Sequence, residues 1–129
     1  MGTRFVCSSE ADIHINYKEM IKKAKDRDAL VAGRSTGHPI RVLKNSFTRE
    51  FAELEKTDID IMDLEKFSVG KLKLAAYKGD VANGSFMAGQ ISGLINEIES
   101  CSDIIESIIG KGNKVIENLS SLKDGDKSE

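Results

Sequence analysis

TRFVC, residues 3–7, is the stretch on which the fold depends. It reads as a short strand or the end of one. A parallel strand needs neighbours on both sides and helices over both faces of its sheet. The only other strand-like run is ALVAG, residues 29–33, apolar and bounded by charges and glycine. Two short runs do not complete such a sheet. The composition is that of a globular protein, yet its sheet is unfinished. Residues 3–7 are therefore expected to pair with strands from outside these 129 residues.

Outward from that run the chain turns helical. Residues 15–26, INYKEMIKKAKD, carry Tyr17, Met20, Ile21 and Ala24 at three- and four-residue spacing, which predicts an amphipathic helix with Asn16 as its N-cap. GRSTGHP, residues 33–39, is a turn-rich loop, and Pro39 biases His38 towards an extended conformation. Helical character is expected from about residue 40. Ser46 is placed to cap residues 46–56, with Phe47, Phe51 and Leu54 on one face. Asp60 opens a short helix to about Phe67, and KLKLAAYK, residues 71–78, forms another that Gly79 closes as the C′ residue. Residues 79–89 are a glycine-rich loop, and residues 90–98 resume a helix. Ser102 is expected to cap a last helix to about Leu122, interrupted by Gly110 and Gly112, with a disordered tail at 124–129.

Composition narrows the function. Nineteen basic and 21 acidic residues leave a net charge of −2, which gives no electrostatic reason to bind nucleic acid. No apolar run approaches a membrane span, and the N-terminus lacks the pattern of a secretory signal. Cys7 and Cys101 stand far apart, with neither a disulfide framework nor zinc-ligand spacing, so reduced thiols in a cytoplasmic protein are expected and no metal site is assigned.

Four segments carry polar groups suited to chemistry. In MGTRF, Gly2 lets a phosphate approach backbone N–H groups, and Thr3 adds a hydroxyl donor. GRSTGHP gathers Arg34, Ser35, Thr36 and His38 on a loop, but no carboxylate or nucleophile stands at a telling spacing, and a histidine bonded to local backbone is the favoured reading of both His38 and His14. GDVANGSFMAGQ, residues 79–90, combines glycines with Asn83, Ser85 and Gln90, a loop able to bring backbone close to a ligand. GKGNK, residues 110–114, lacks the frame of a P-loop.

Three of these stretches, in order, resemble one family. MGTRFVCSSE (1–10), NYKEMIKKAKDRDALVAGRSTGHPIRVLKN (16–45) and GDVANGSFMAGQISGLINEI (79–98) are similar to segments of the nitronate monooxygenases, formerly 2-nitropropane dioxygenases, a family that includes flavin-dependent enoyl-acyl-carrier-protein reductases. The resemblance runs over about residues 1–109. It implies an α/β parent with a (β/α)8 TIM barrel that binds FMN at the C-terminal ends of its strands. This chain would be its C-terminal segment, mostly α-helical with one or two short strands. Residues 1–28 would hold the last barrel strand and the following helix, and residues 29–123 a helical region with a cofactor-proximal loop at 79–90. Gly2 and Thr3 match part of the flavin phosphate site. Ser85, Met87, Ala88, Gly89 and Gln90 match a loop close to the cofactor, and GRSTGHP a region folding back to the barrel mouth.

Family members are more than twice this long. The seven earlier strands, the first phosphate loop and the catalytic histidine have no match here, so no catalytic residue is assigned. The resemblance implies a fragment of an FMN-dependent oxidoreductase, inactive alone, whose parent oxidises alkyl nitronates with oxygen. A small-molecule substrate is expected, and a homodimer or association with the barrel portion. The alternatives are a fragment of an enoyl-acyl-carrier-protein reductase, and a non-catalytic helical module binding a partner through the Ile-rich face of residues 104–122.

Overall fold

The computed structural model describes residues 1–124, so of the tail expected at 124–129 all but Asp124 lies outside the described residues. Residues 3–7 are not a strand. Gly2–Val6 form a short helix, α1, and Cys7 N–H donates back to the carbonyls of Thr3 and Arg4. Backbone groups must be paired, and the helical turn pairs those of residues 4–8 locally. The one strand-like contact nearby is an isolated parallel bridge between Ser8 and Glu99.

Helix α2, Ile15–Lys23, is shorter than expected, and its N-cap is His14, not Asn16. His14 Nδ1 accepts the Asn16 N–H at 3.1 Å, while the Asn16 amide reaches the Gly79 carbonyl at 2.9 Å. Strands β1, Ala29–Ala32, and β2, Ile40–Leu43, then form an antiparallel hairpin with Ala29 opposite Leu43 and Ala32 opposite Ile40. The second strand falls where helix was expected to begin. Pro39 opens it, and the 33–39 turn reverses the chain through Gly33 and Gly37, both at positive φ.

Helix α3, Ser46–Leu54, is capped by Asn45 instead of Ser46. Asn45 and Thr48 form a capping box: each side chain accepts the other's backbone N–H, at 2.9 and 2.8 Å. The Asn45 amide also bonds the carbonyls of Val81 and Gly84, tying the helix to the glycine-rich loop. Asp60 caps α4, Ile61–Ser68, by accepting the Met62 N–H. The helix expected at 71–78 is three α-helical residues, Lys71–Lys73 (α5), widened into a π-helical turn at Leu74–Lys78, and Gly79 closes it in the left-handed conformation as expected.

Residues 90–98 do not form the continuous helix expected. Gln90–Leu94 make one 3₁₀ turn, and the chain is extended at Ile95. A Cβ at Gly93 would lie 2.5 Å from the Asp26 carboxylate. The segment is thus pressed against the α2–β1 loop at Gly93. The last helix, α6, Cys101–Asp124, passes through Gly110 and Gly112 without a break. Ser100 caps it, not Ser102: its Oγ accepts the Asp103 N–H at 3.1 Å, and Glu10 accepts the Cys101 N–H at 2.9 Å.

Two apolar clusters result. The first joins Cys7, Tyr17, Ile21, Leu43, Ala75, Phe86, Ala88 and Ile95. The second lies under the hairpin and joins Ala32, Val42, Phe47, Phe51 and Leu64. Phe47 stacks on Phe67, and Lys71 Nζ stands 5.2 Å from both rings. On α6, Ile104 is buried, whereas Ile105, Ile109, Ile116, Leu119 and Leu122 are exposed. Among the described residues no helix is long and apolar enough to cross a membrane.

Candidate functional site: the junction of the N-terminal turn and the 85–90 loop

Residues 85–88 pass between the two clusters and meet β2 at an isolated antiparallel bridge between Val42 and Met87. Leu43 N–H donates to the Phe86 carbonyl at 2.9 Å, and Ala88 N–H to the Arg41 carbonyl at 3.1 Å. Extended backbone sends alternate side chains to opposite sides. Phe86 and Ala88 enter the first cluster, while Ser85 and Met87 line a cavity on the other side. The Met87 carbonyl accepts from the Tyr17 hydroxyl at 2.8 Å. Burial pushes the Tyr17 pKa up to about 12.

The run ends on Gly89, whose N–H donates to Thr3 Oγ1 at 2.9 Å. The two segments singled out in the sequence, residues 2–3 and 85–90, therefore meet. A Cβ on Gly89 would stand 3.3 Å from the Thr3 hydroxyl oxygen, so the approach is close. A hydroxyl that accepts one bond keeps its own hydrogen to donate. Gly2 and Thr3 stand in the first turn of α1, where N–H groups have no intrahelical acceptor. A Cβ at Gly2 would meet nothing within 4 Å, so no packing inside the chain requires glycine there. Gln90 is exposed. Ala88, assigned to the same cofactor-proximal loop, has its side chain in the core and offers backbone only.

Ser85 is buried, and its Oγ is the one fully buried side-chain polar atom among the described residues with no hydrogen-bond partner. A buried group left unpaired costs about 1–3 kcal/mol. Asp80 orders the loop that leads here by accepting the N–H groups of Ala82 and Asn83 and the Asn83 amide, and these bonds hold its carboxyl below the usual range.

The other sequence candidates stand apart from this junction. His14 caps α2. His38 sits at the rim of the cavity, with Nδ1 3.8 Å from Glu65. Ser35 Oγ donates to Glu55, and Thr36 Oγ1 to the Gly33 carbonyl. Arg4 pairs with Glu99 and donates to the Glu97 carbonyl. No group of three or more metal-ligating side chains occurs among the described residues. Tyr17 and Arg41 were not foreseen as supports of the loop: Tyr17 reads in sequence as one more apolar helix position, and Arg41 contributes only its carbonyl.

Residues 1–111 match the family model described as nitronate monooxygenase. The chain is 27% identical over 116 residues to a probable nitronate monooxygenase of Staphylococcus saprophyticus subsp. saprophyticus, covering 90% of this chain and 32% of that protein. Among solved structures, FabK from Thermotoga maritima is similar with a TM-score of 0.88 and 45% identity, over 95% of this chain and 39% of that one. A mutant of the same FabK gives a TM-score of 0.78 and 42% identity, over 95% and 36%. The chain thus spans between about a third and two-fifths of the length of these relatives.

Proposed function

The chain belongs to the nitronate monooxygenase family, and from that premise we propose that it forms the flavin-proximal C-terminal part of an FMN-dependent oxidoreductase. Family membership and the likeness to FabK support an FMN-dependent oxidoreductase with a TIM-barrel parent. The observation that carries the reading is the bond from Gly89 N–H to Thr3 Oγ1. It joins the two segments expected at the cofactor, which stand 86 positions apart.

The residues present fit FMN. The Thr3 hydroxyl and the N–H groups of Gly2 and Thr3 would donate to phosphate oxygens. The open space at Gly2 lets a phosphate come close to the backbone. Met87, Gly89 and Gln90 would border the cofactor from the loop, and β2 and Tyr17 hold that loop in place. When bound, the flavin supplies the electron transfer, and the protein supplies position and electrostatics. These residues bind and orient. No acid or base of the chain is assigned to the chemistry.

The parent activity we propose is oxidation of alkyl nitronates with oxygen. A second reading, reduction of an enoyl thioester, is favoured by one observation: identity to FabK is 45%, against 27% to the probable nitronate monooxygenase. A chimera in which this chain replaces the matching 39% of Thermotoga maritima FabK tests both. The expected product is a yellow protein carrying FMN. Oxygen uptake with an alkyl nitronate supports the first activity, and enoyl-thioester-dependent oxidation of a nicotinamide nucleotide supports the second. A folded chimera that holds no FMN overturns the assignment.

A further inference from the structure

Helix α6 carries an apolar face that the chain itself leaves uncovered. Ile104 is buried and anchors the helix to the rest of the chain. Past it, Ile105, Ile108, Val115, Leu119 and Leu122 are between 43% and 73% exposed. They recur at alternating steps of three and four residues, with Gly112 on the seat between Ile108 and Val115. That is a heptad repeat, sustained over three heptads with Cys101 as its first seat. Ile109 and Ile116, both exposed, widen the stripe on one side. A stripe of this period is what a second helix packs against. Glycine in a helix interior is unfavourable, and a Cβ at Gly112 would meet nothing within 4 Å, so nothing inside the chain requires glycine there.

We propose that a second copy of the chain covers this face, its α6 lying parallel to the first and in register with it. Size and charge support that occupant. Residues 101–122 run for about 33 Å of helix. Covering their apolar side chains in two copies removes on the order of 1,200 Å² from water, at the lower end of stable interfaces. Each copy presents the same stripe, so the pairing closes on itself with two-fold symmetry. Lys111 borders one side of the stripe, and Glu106 and Glu117 stand on the other side, outside Ile109 and Ile116. Parallel pairing brings the unlike flanks together. Antiparallel pairing about Gly112 would set Lys111 against the partner's Lys111 and Glu106 against the partner's Glu117. In the parallel register Cys101 stands across the two-fold axis from the partner's Cys101. None of the residues assigned to the flavin lies on α6, so the pairing stands independently of that assignment.

The test is sedimentation equilibrium of the full chain at a series of concentrations with a reductant present. A reversible monomer–dimer equilibrium is expected. Ile116→Glu, at a position 63% exposed, should weaken dimerisation by roughly a hundredfold, because it places an unpaired charge in the interface. Circular dichroism checks that this variant is still folded. Gly112→Leu should tighten the dimer by roughly tenfold by filling the empty seat. Gly110→Leu, on the opposite face of α6, relieves the same helix penalty and should change the affinity far less. Oxidation with diamide should join the copies through Cys101, since Cys7 is buried, and Cys101→Ser should abolish the cross-link. A monomer at every concentration would overturn the proposal and leave the face to the remainder of a FabK-length protein. A dimer untouched by Ile116→Glu, equal tightening by the two glycine variants, or a dimer that forms no Cys101 cross-link would also overturn it.

Discussion

Thr3 Oγ1 accepts the backbone N–H of Gly89 at 2.9 Å, so the first turn of the chain and the loop at 85–90 are held as one unit.

Tyr17 is the support beneath it. Its pKa is raised from 10.0 to about 12, chiefly by burial. The folded state thus holds the phenolic proton more tightly than the unfolded state does. The resulting stability is fully present below about pH 10 and is lost as pH rises towards 12. Two pKa units correspond to about 2.7 kcal/mol. Unfolding in urea at a series of pH values should show this alkaline loss, and Tyr17→Phe should remove that dependence while costing about 1 kcal/mol at neutral pH through the lost bond to Met87. An unchanged alkaline profile in Tyr17→Phe would assign the effect to another group.

Gly79 closes the π-helical turn at φ +62, and a Cβ there would fall 2.0 Å from His14 Nδ1. Gly79→Ala should therefore incur the left-handed penalty of about 1–2 kcal/mol and displace the cap of α2, for another 0.5–2 kcal/mol or so. Chemical denaturation should show a loss of about 2–4 kcal/mol. A loss below about 1 kcal/mol would mean that His14 moves aside freely.

Asn45 links α3 to the glycine-rich loop. Asn45→Ala removes the capping box and the bonds to Val81 and Gly84, and should cost about 2–4 kcal/mol. Asn45→Asp keeps the cap acceptor but loses the amide donors, so it should fall between the two. Equal stability of the Asp and Ala variants would show that the loop bonds, not the cap, carry the effect.

How much of this was legible in the sequence follows from the range of each interaction. Residues 47, 51 and 54 announced α3 because helix periodicity is local, and Gly79 announced its turn because only glycine takes that conformation cheaply. The caps shifted by one or two residues, to His14, Asn45 and Ser100, where neighbouring polar side chains competed for the role. Strand β2 went unseen because four residues, IRVL, show too little alternation to outweigh the helical sequence after them. Gly2–Val6 was misread because a five-residue stretch is too short for its period to distinguish strand from helix. Resemblance brought out the residues of the junction, but nothing in sequence spacing pairs Thr3 with Gly89. The alternation of Ser85 and Met87 against Phe86 and Ala88 has the period of a strand, yet its meaning needed the cavity on one side and the core on the other.

Flavin titration of the chimera tests Thr3 as a donor to the FMN phosphate. Thr3→Val is nearly isosteric and removes a hydroxyl that bonds both Gly89 and, on this account, the phosphate. A bond to a charged group contributes about 1.5–3 kcal/mol, so FMN affinity should fall by roughly ten- to a hundredfold. His38→Gln, at the cavity rim, should change it far less. FMN binding by Thr3→Val as tight as in the unmodified chimera would contradict the account.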